Sequence, residues 1–358
     1  MNFDDRYGPL DRLLHRVAFR AGLAQRTMAE VEEALWGEDL QALPLDDPVF
    51  ITALPRCGTT ILLEVLVGTG RFASHTYRDM PFVLCPLLWE RLSRSFAVDD
   101  APVERAHGDG LEVSADSPEA FEEMVWKHFW PDHYREDRIR PWTGDDPSPE
   151  FAAFFETHMR KVVVLRRDGP GDDRRRYVSK NNLNVARLAA PPGPMREGTF
   201  VIPFREPVQQ AASMLRQHRR FLELHELDPF VREYMEAIGH HEFGQGLKPV
   251  DFGGWLEEAP SPERLEFWVR YWIAVYRWVL EHADGATVLV SYRRLTEEPE
   301  AALGRLARAI DVPQDELVPA GDRLRPPRTH DVTGAALPDR VQGEAEAVQG
   351  RLERGAEV

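Results

Sequence analysis

Cysteine is nearly absent from this 358-residue chain: Cys57 and Cys85 are the only two. A disulfide framework and a cysteine-based metal site are therefore unsupported. Lysine is almost as scarce, with Lys127, Lys161, Lys180 and Lys248 the only four among 44 basic residues. No apolar run approaches the roughly eighteen residues that a membrane-spanning helix needs. The opening Met1-Asn-Phe-Asp-Asp5 lacks the basic start and apolar core of a signal peptide, so a cytoplasmic location is expected. Positive charge is also in deficit: 60 acidic residues give a net charge of −16, which disfavours nucleic acid as a partner. Internal repeats and low-complexity tracts are missing as well. What remains, 43% hydrophobic, can bury a sizeable core as one domain over 1–358. Within it lie an N-terminal helical region (1–44), a helical insertion (89–176) and a C-terminal tail (339–358), a surface helix or frayed end.

The most informative stretch is Val49-Phe-Ile-Thr-Ala-Leu-Pro-Arg-Cys-Gly-Thr-Thr60 followed by Ile61-Leu-Leu-Glu-Val-Leu-Val67. It reads as a buried strand, a tight loop punctuated by Pro55 and Gly58, and a helix opening at Thr59 and Thr60. Free backbone N–H groups and two hydroxyls then converge on one point, a cradle for an oxyanion. A nucleotide-triphosphate loop would need Gly at Ala53 and Lys at Thr59, and neither is there. A second unit of the same kind is Gly198-Thr-Phe-Val-Ile-Pro203, then Phe204-Arg-Glu-Pro-Val208 and a helix with Pro207 in its first turn. Arg205 and Ser213 stand eight residues apart on it. A guanidinium fork binds phosphate bidentately, and a serine two turns along adds a hydroxyl donor.

The first loop resembles the 5′-phosphosulfate loop of the sulfotransferases, P-[KR]-S-G-T-T, with Cys57 in place of serine. The second unit is similar to the one that binds the donor's 3′-phosphate in that family. Ser179-Lys-Asn-Asn182 matches the place where cytosolic members carry K-T-H, keeping Lys180 but setting Asn182 at the catalytic histidine. Thr287 to Pro299, with Tyr292, resembles the family's adenine-contacting "YEDL…P" unit, and Arg78-Asp-Met-Pro-Phe82 resembles the segment after its first helix. The resemblance covers about Val49 to Ile310, with a gap between Trp89 and Arg176.

The resemblance implies an α/β, three-layer P-loop-like fold, a parallel sheet flanked by helices, and 3′-phosphoadenosine 5′-phosphosulfate as donor. Arg56, Cys57, Gly58, Thr59 and Thr60 would hold its 5′-phosphate, Arg205 and Ser213 its 3′-phosphate, and Tyr292 its adenine. Lys180, with Arg56, would stabilise the transferring group, and no metal is expected because side chains supply the cations. Local positive charge must be gathered in the cleft of so acidic a chain, and Arg323, Arg325 or Arg328 would add to it. The general base is open: Asp79 ranks first, His107 in Arg105-Ala-His-Gly-Asp-Gly110 second, and His75 third.

The acceptor expected is a hydroxyl of a small molecule. The aromatics of 89–176, among them Trp126, Phe129, Trp130, Tyr134, Trp142 and Phe151, read equally as a pocket for a bulky acceptor or as a subcore. Apolar residues at helical spacing in the N-terminal region (Leu13, Leu14, Val17, then Met28, Val31, Leu35) form a packing element or a contact between two copies. Two alternatives remain: a sulfotransferase-like protein that binds a nucleotide without catalysis, and a divergent P-loop kinase or nucleotide hydrolase.

Overall fold

The computed structural model describes residues 22–93, 103–104, 112–113, 116–146, 148–169, 175–332 and 337–358, together with Arg12. Five strands, β1 (Val49–Ile51), β2 (Phe72–Ala73), β5 (Arg176–Lys180), β6 (Thr199–Phe204) and β7 (Thr287–Ser291), form one sheet in the order β2-β5-β1-β6-β7. Every neighbouring pair is parallel. A short antiparallel pair, β3 (Val103–Glu104) and β4 (Glu112–Val113), stands apart from it.

Side chains alternate along these strands, so successive residues feed opposite faces of the sheet. Val49, Ile51, Val178, Val201, Val288 and Val290 enter one core, together with Leu62 and Leu66 of helix α2 (Thr59–Gly68). Phe50, Tyr177, Phe200, Ile202 and Leu289 enter the other. Both faces are thus covered, as a parallel sheet requires. The expected three-layer α/β architecture is the one observed.

The connections decide where a site can form. Helix α2, which follows β1, packs in the first core, whereas α6 (Pro207–Leu227), which follows the adjacent β6, contributes Ala211 and Met214 to the second. Two neighbouring parallel strands whose helices leave to opposite faces open a crevice at their carboxyl ends.

The remaining helices are α1 (Gly22–Gln41), α3 (Pro86–Ser93), α4 (Glu123–Phe129), α5 (Pro149–Leu165), α7 (Pro229–Ala237), α8 (Leu265–His282), α9 (Tyr292–Glu297), α10 (Pro299–Ala309), α11 (Gln314–Leu317) and α12 (Asp339–Gly355). Proline at the first position opens α3, α5, α6, α7 and α10, where its missing N–H costs nothing. Helix α5 continues through the β-branched run Val162-Val-Val164.

Three regions bear on readings that the sequence left open; of the first, Leu13, Leu14 and Val17 lie outside the described residues. Helix α1 turns Gln25, Ala29 and Glu32 inward, while Val31 and Leu35 are 45% and 59% exposed. Its anchor is a buried ion pair, Lys161 Nζ to Glu32 at 3.0 Å, rather than an apolar stripe. The C-terminal residues are a docked element: α12 buries Val341, Ala345, Val348 and Leu352, and Ser291 N donates to Val358 O at 2.9 Å.

The aromatics of the 89–176 stretch are packed, not open. Trp126, Trp142, Phe151 and Phe155 are almost completely buried, and Trp126 and Trp142 enclose the guanidinium of Arg187 at 3.8 and 4.2 Å from the ring centroids. Arg187 donates to Glu123 at 2.8 Å and to Asn184 at 2.6 Å. Glu122 accepts from Trp126, Tyr177, Asn181 and Asn184. The rings fill the space around a polar network that must be sealed from water, because a buried charge is tolerated only when paired.

Candidate functional site

The loop after β1 is shaped by two residues in the left-handed region, Arg56 (φ 72°) and Gly58 (φ 95°). Such alternation turns successive backbone N–H groups toward one side and forms an anion-binding concavity. Helix α2 starts at Thr59, and its first intrahelical bond from this end is Leu62 N to Gly58 O, so the preceding N–H groups face outward. Glycine is required at 58 twice over, for its φ and because a Cβ would collide with the ring of Tyr292. Cys57 points the other way. Its thiol is buried and donates to Leu54 O at 2.9 Å, and burial pushes its pKa up to about 12, so only its backbone can serve the loop.

The second unit closes on the first. Arg56 Nε donates to Ser213 Oγ at 3.3 Å, joining the loop to the face of α6. Arg205, at the end of β6, donates to Arg328 O at 2.7 Å. Gln209 holds His330 from both sides, Nε2 donating to its carbonyl at 3.0 Å and Oε1 accepting its N–H at 2.7 Å. Tyr292 OH donates to Arg325 O at 3.1 Å. The segment 325–330, without regular secondary structure, is thereby laced across the crevice by three side chains.

Between these parts lies a cavity of about 390 Å³ lined by Arg56, Arg205, Arg216, Arg323, Arg325 and Arg328, with Gly58, Thr59, Thr60, Ser213 and Tyr292. Among the described residues, six arginines and no carboxylate line it. In a chain of net charge −16 this is a concentrated reversal of sign. The field is felt by the groups inside it: burial, and then the charges of Arg216, Arg205, Arg56 and Arg328, depress the pKa of His330. Burial, together with the neighbouring Arg56 charge, also lowers that of Arg205.

Lys180 ends β5 in register with Ile51, the residue that leads into the loop. It is buried, and its side chain forms no hydrogen bond or ion pair among the described residues. Asn182 Oδ1 lies 3.5 Å from Thr59 Oγ1, and its Nδ2 donates to Glu242 at 3.1 Å.

Asp79 and His75 are not among the residues lining this cavity. Asp79 follows the edge strand β2, where it accepts from Arg166 at 2.6 Å, from Thr76 N at 2.9 Å and faces His75 Nδ1 at 3.0 Å. It is 2% exposed, and despite burial its bonds to His75 and the Arg166 charge hold its pKa down at about 2. The chain reaches it through β2, the edge strand two places from β1, and its carboxylate is taken up by Arg166 and His75. His75 in turn meets His158 at 2.9 Å in the same buried cluster. His107 lies outside the described residues.

Arg216, His330 and Glu242 were not singled out by sequence. Arg216 could have been, since it stands three residues after Ser213 and so on the same helical face. Glu242 sits in Gly239-His-His-Glu-Phe-Gly-Gln-Gly246, a polar run fenced by glycines.

Compared with solved structures, the chain is similar to sulfotransferase STF9 from Mycobacterium avium, at 16% identity and a TM-score of 0.49 over 97% of this chain and 85% of that one. It is also similar to sulfotransferase STF1 from Mycobacterium tuberculosis H37Rv, at 14% identity and a TM-score of 0.45 over 95% and 85%. A third likeness is the sulfotransferase domain from the curacin biosynthetic pathway, at 13% identity and 0.40 over 86% and 98%. No family model and no curated protein matches the sequence.

Proposed function

We propose that this chain is a sulfotransferase that moves the sulfuryl group of 3′-phosphoadenosine 5′-phosphosulfate to a hydroxyl of a small molecule. The observation that carries the reading is the joining of two anion sites in one arginine-lined, carboxylate-free cavity, linked through Arg56 and Ser213. A donor with phosphate at both ends of one nucleoside suits that pair of sites. The loop amides of Cys57, Gly58, Thr59 and Thr60, with Arg56, take the 5′-phosphate. Arg205 and Ser213 take the 3′-phosphate, and Tyr292 borders the adenine. A nucleoside triphosphate with Mg²⁺ suits the cavity less well, since such sites supply acidic side chains for the metal.

Sulfuryl transfer asks a protein to align donor and acceptor and to neutralise charge that grows on the bridging oxygen as the S–O bond breaks. Lys180, unpaired at the end of β5, is the cation proposed for that oxygen. The test is thermal: 3′-phosphoadenosine 5′-phosphate without metal should stabilise the chain, by about 2.7 kcal/mol at a hundredfold excess over its Kd. Stabilisation by ATP with magnesium, and not by the 3′-phosphorylated nucleotide, would sink the reading.

A further inference from the structure

The β6–β7 connection, residues 205–286, carries a segment whose backbone is fixed at several points. Gly239 (φ 82°) leaves no room for a Cβ against the Glu123 side chain, and at Gly244 (φ 74°) a Cβ would lie 2.6 Å from His225 Cε1. Gly244 N donates to His218 Nδ1 and Gln245 N to His225 Nδ1, both at 3.1 Å. Lys248 N donates to His241 O at 2.8 Å. Between these clamps stands Glu242, half-buried, whose Oε1 accepts from Asn182 Nδ2 at 3.1 Å. Asn182 in turn reaches Thr59 of the anion loop, so two polar contacts separate this carboxylate from the cradle. No ion pair engages Glu242 among the described residues, although most other buried or half-buried carboxylates here are matched by arginine or lysine. A carboxylate oxygen left without a cation beside a cationic cleft, on a backbone this constrained, has the attributes of a proton acceptor rather than of a structural tie.

We infer that Glu242 is the general base, oriented by Asn182, a role that rests on the sulfuryl-transfer reading. The acceptor's O–H proton passes to the Glu242 carboxylate as its oxygen bonds to sulfur. The S–O bond to the 5′-phosphate breaks with its electron pair on the phosphate oxygen. The products are a sulfate ester, 3′-phosphoadenosine 5′-phosphate and a proton that Glu242 returns to water. Asn182 takes no part in proton transfer; it is a positioning residue.

The experiment needs no knowledge of the natural acceptor, because water can serve as one. Hydrolysis of 3′-phosphoadenosine 5′-phosphosulfate is followed for the wild type and for Glu242→Gln, whose amide oxygen still accepts from Asn182. Nucleotide binding and unfolding midpoint are measured beside it. The expected result is a loss of hydrolysis of 10²-fold or more, the lower end of general-base contributions, with affinity for 3′-phosphoadenosine 5′-phosphate unchanged. The wild-type rate should fall in acid as the base is protonated, and the variant should lose that limb. Glu242→Asp should recover part of the rate. Retention of hydrolysis within about threefold, or an unaltered pH profile in the variant, overturns the assignment. A wild type that binds the nucleotide but does not hydrolyse the donor also overturns it, while the donor-site reading stands. Failure of the wild type to bind the nucleotide at all overturns both.

Discussion

Arginine occurs in two opposed settings in this molecule. Arg187 is fully buried between two tryptophans, with Glu123 and Asn184 on its guanidinium and a second carboxylate, Glu122, in the same network. Arg205 and its neighbours line a cavity that offers them one another and no acid. The interior arginine has its charge balanced within the fold, and its removal would strand a carboxylate. The cavity arginines raise the energy of the free protein by mutual repulsion, and an anion would lower it. The contacts therefore separate a guanidinium matched by a buried carboxylate from those that the proposed function assigns to a ligand, a distinction invisible in the sequence letters.

The largest effect expected from this contrast is at Arg187. Arg187→Met should cost about 3–5 kcal/mol of stability, the scale for one partner removed from a buried pair, because Glu123 keeps its charge without its counter-ion. Affinity of the folded fraction for 3′-phosphoadenosine 5′-phosphate should not change. Urea unfolding at constant m-value, with calorimetric binding, measures both. A well-folded variant with impaired binding would erase the distinction drawn between the two settings.

Arg205→Ala reverses that pattern. It should weaken the same nucleotide by about 2 kcal/mol, or roughly thirtyfold, as a charge-assisted bond to phosphate is lost. Stability should hold or rise, since a like charge leaves the Arg56 neighbourhood. Unchanged affinity would remove Arg205 from the 3′-phosphate site.

Asp79 belongs with Arg187 in this scheme, and pH shows it. Its folded pKa, held down at about 2, lies below the unfolded value near 3.9, so its ionised form stabilises the fold at any pH above about 4. That contribution, about 2 kcal/mol, is lost as pH falls through the folded value. Asp79→Asn should flatten this part of the acid-stability curve and leave nucleotide binding intact. If instead donor turnover collapses at unchanged stability, the carboxylate acts in the chemistry and Glu242 does not.

What was readable from sequence was local. The strand–loop–helix around Gly58 and the Arg205–Ser213 spacing each lie within one supersecondary unit, where backbone geometry follows from a few residues. Tyr292 was singled out through the family resemblance alone, and its packing on Gly58 was not foreseen. Asp79 and Glu242 show how little chain distance says about place in the fold. Asp79 is some twenty residues from the loop and Glu242 nearly two hundred, but β2 carries the former to the sheet edge, while the β6–β7 connection sets the latter against Asn182, which reaches Thr59 of the loop. The aromatic stretch was ambiguous because rings that line a pocket and rings that seal a buried ion network have the same composition; Arg187, which decides between them, lies outside that stretch.

The smallest effect is also the most local test of the field in the cavity. His330 is bonded to Gln209 through its backbone only, so its imidazole can report potential without being a hydrogen-bond partner of that residue. Its pKa is lowered first by burial and then by four guanidinium charges. A bound bisphosphate nucleotide would neutralise those charges while leaving burial in place or deepening it. The two causes therefore act in opposite directions on binding, and the sign of the shift says which is greater. Because four positive charges are compensated at once, the Coulomb part should win and the His330 pKa should rise on addition of 3′-phosphoadenosine 5′-phosphate, by NMR titration of the ring protons. Arg205→Ala should raise the pKa of the free protein in the same sense by a smaller amount, having removed one of the four. A pKa that falls further on binding would mean that added burial outweighs charge compensation at His330, and a pKa that does not move would place the nucleotide elsewhere than beside these arginines.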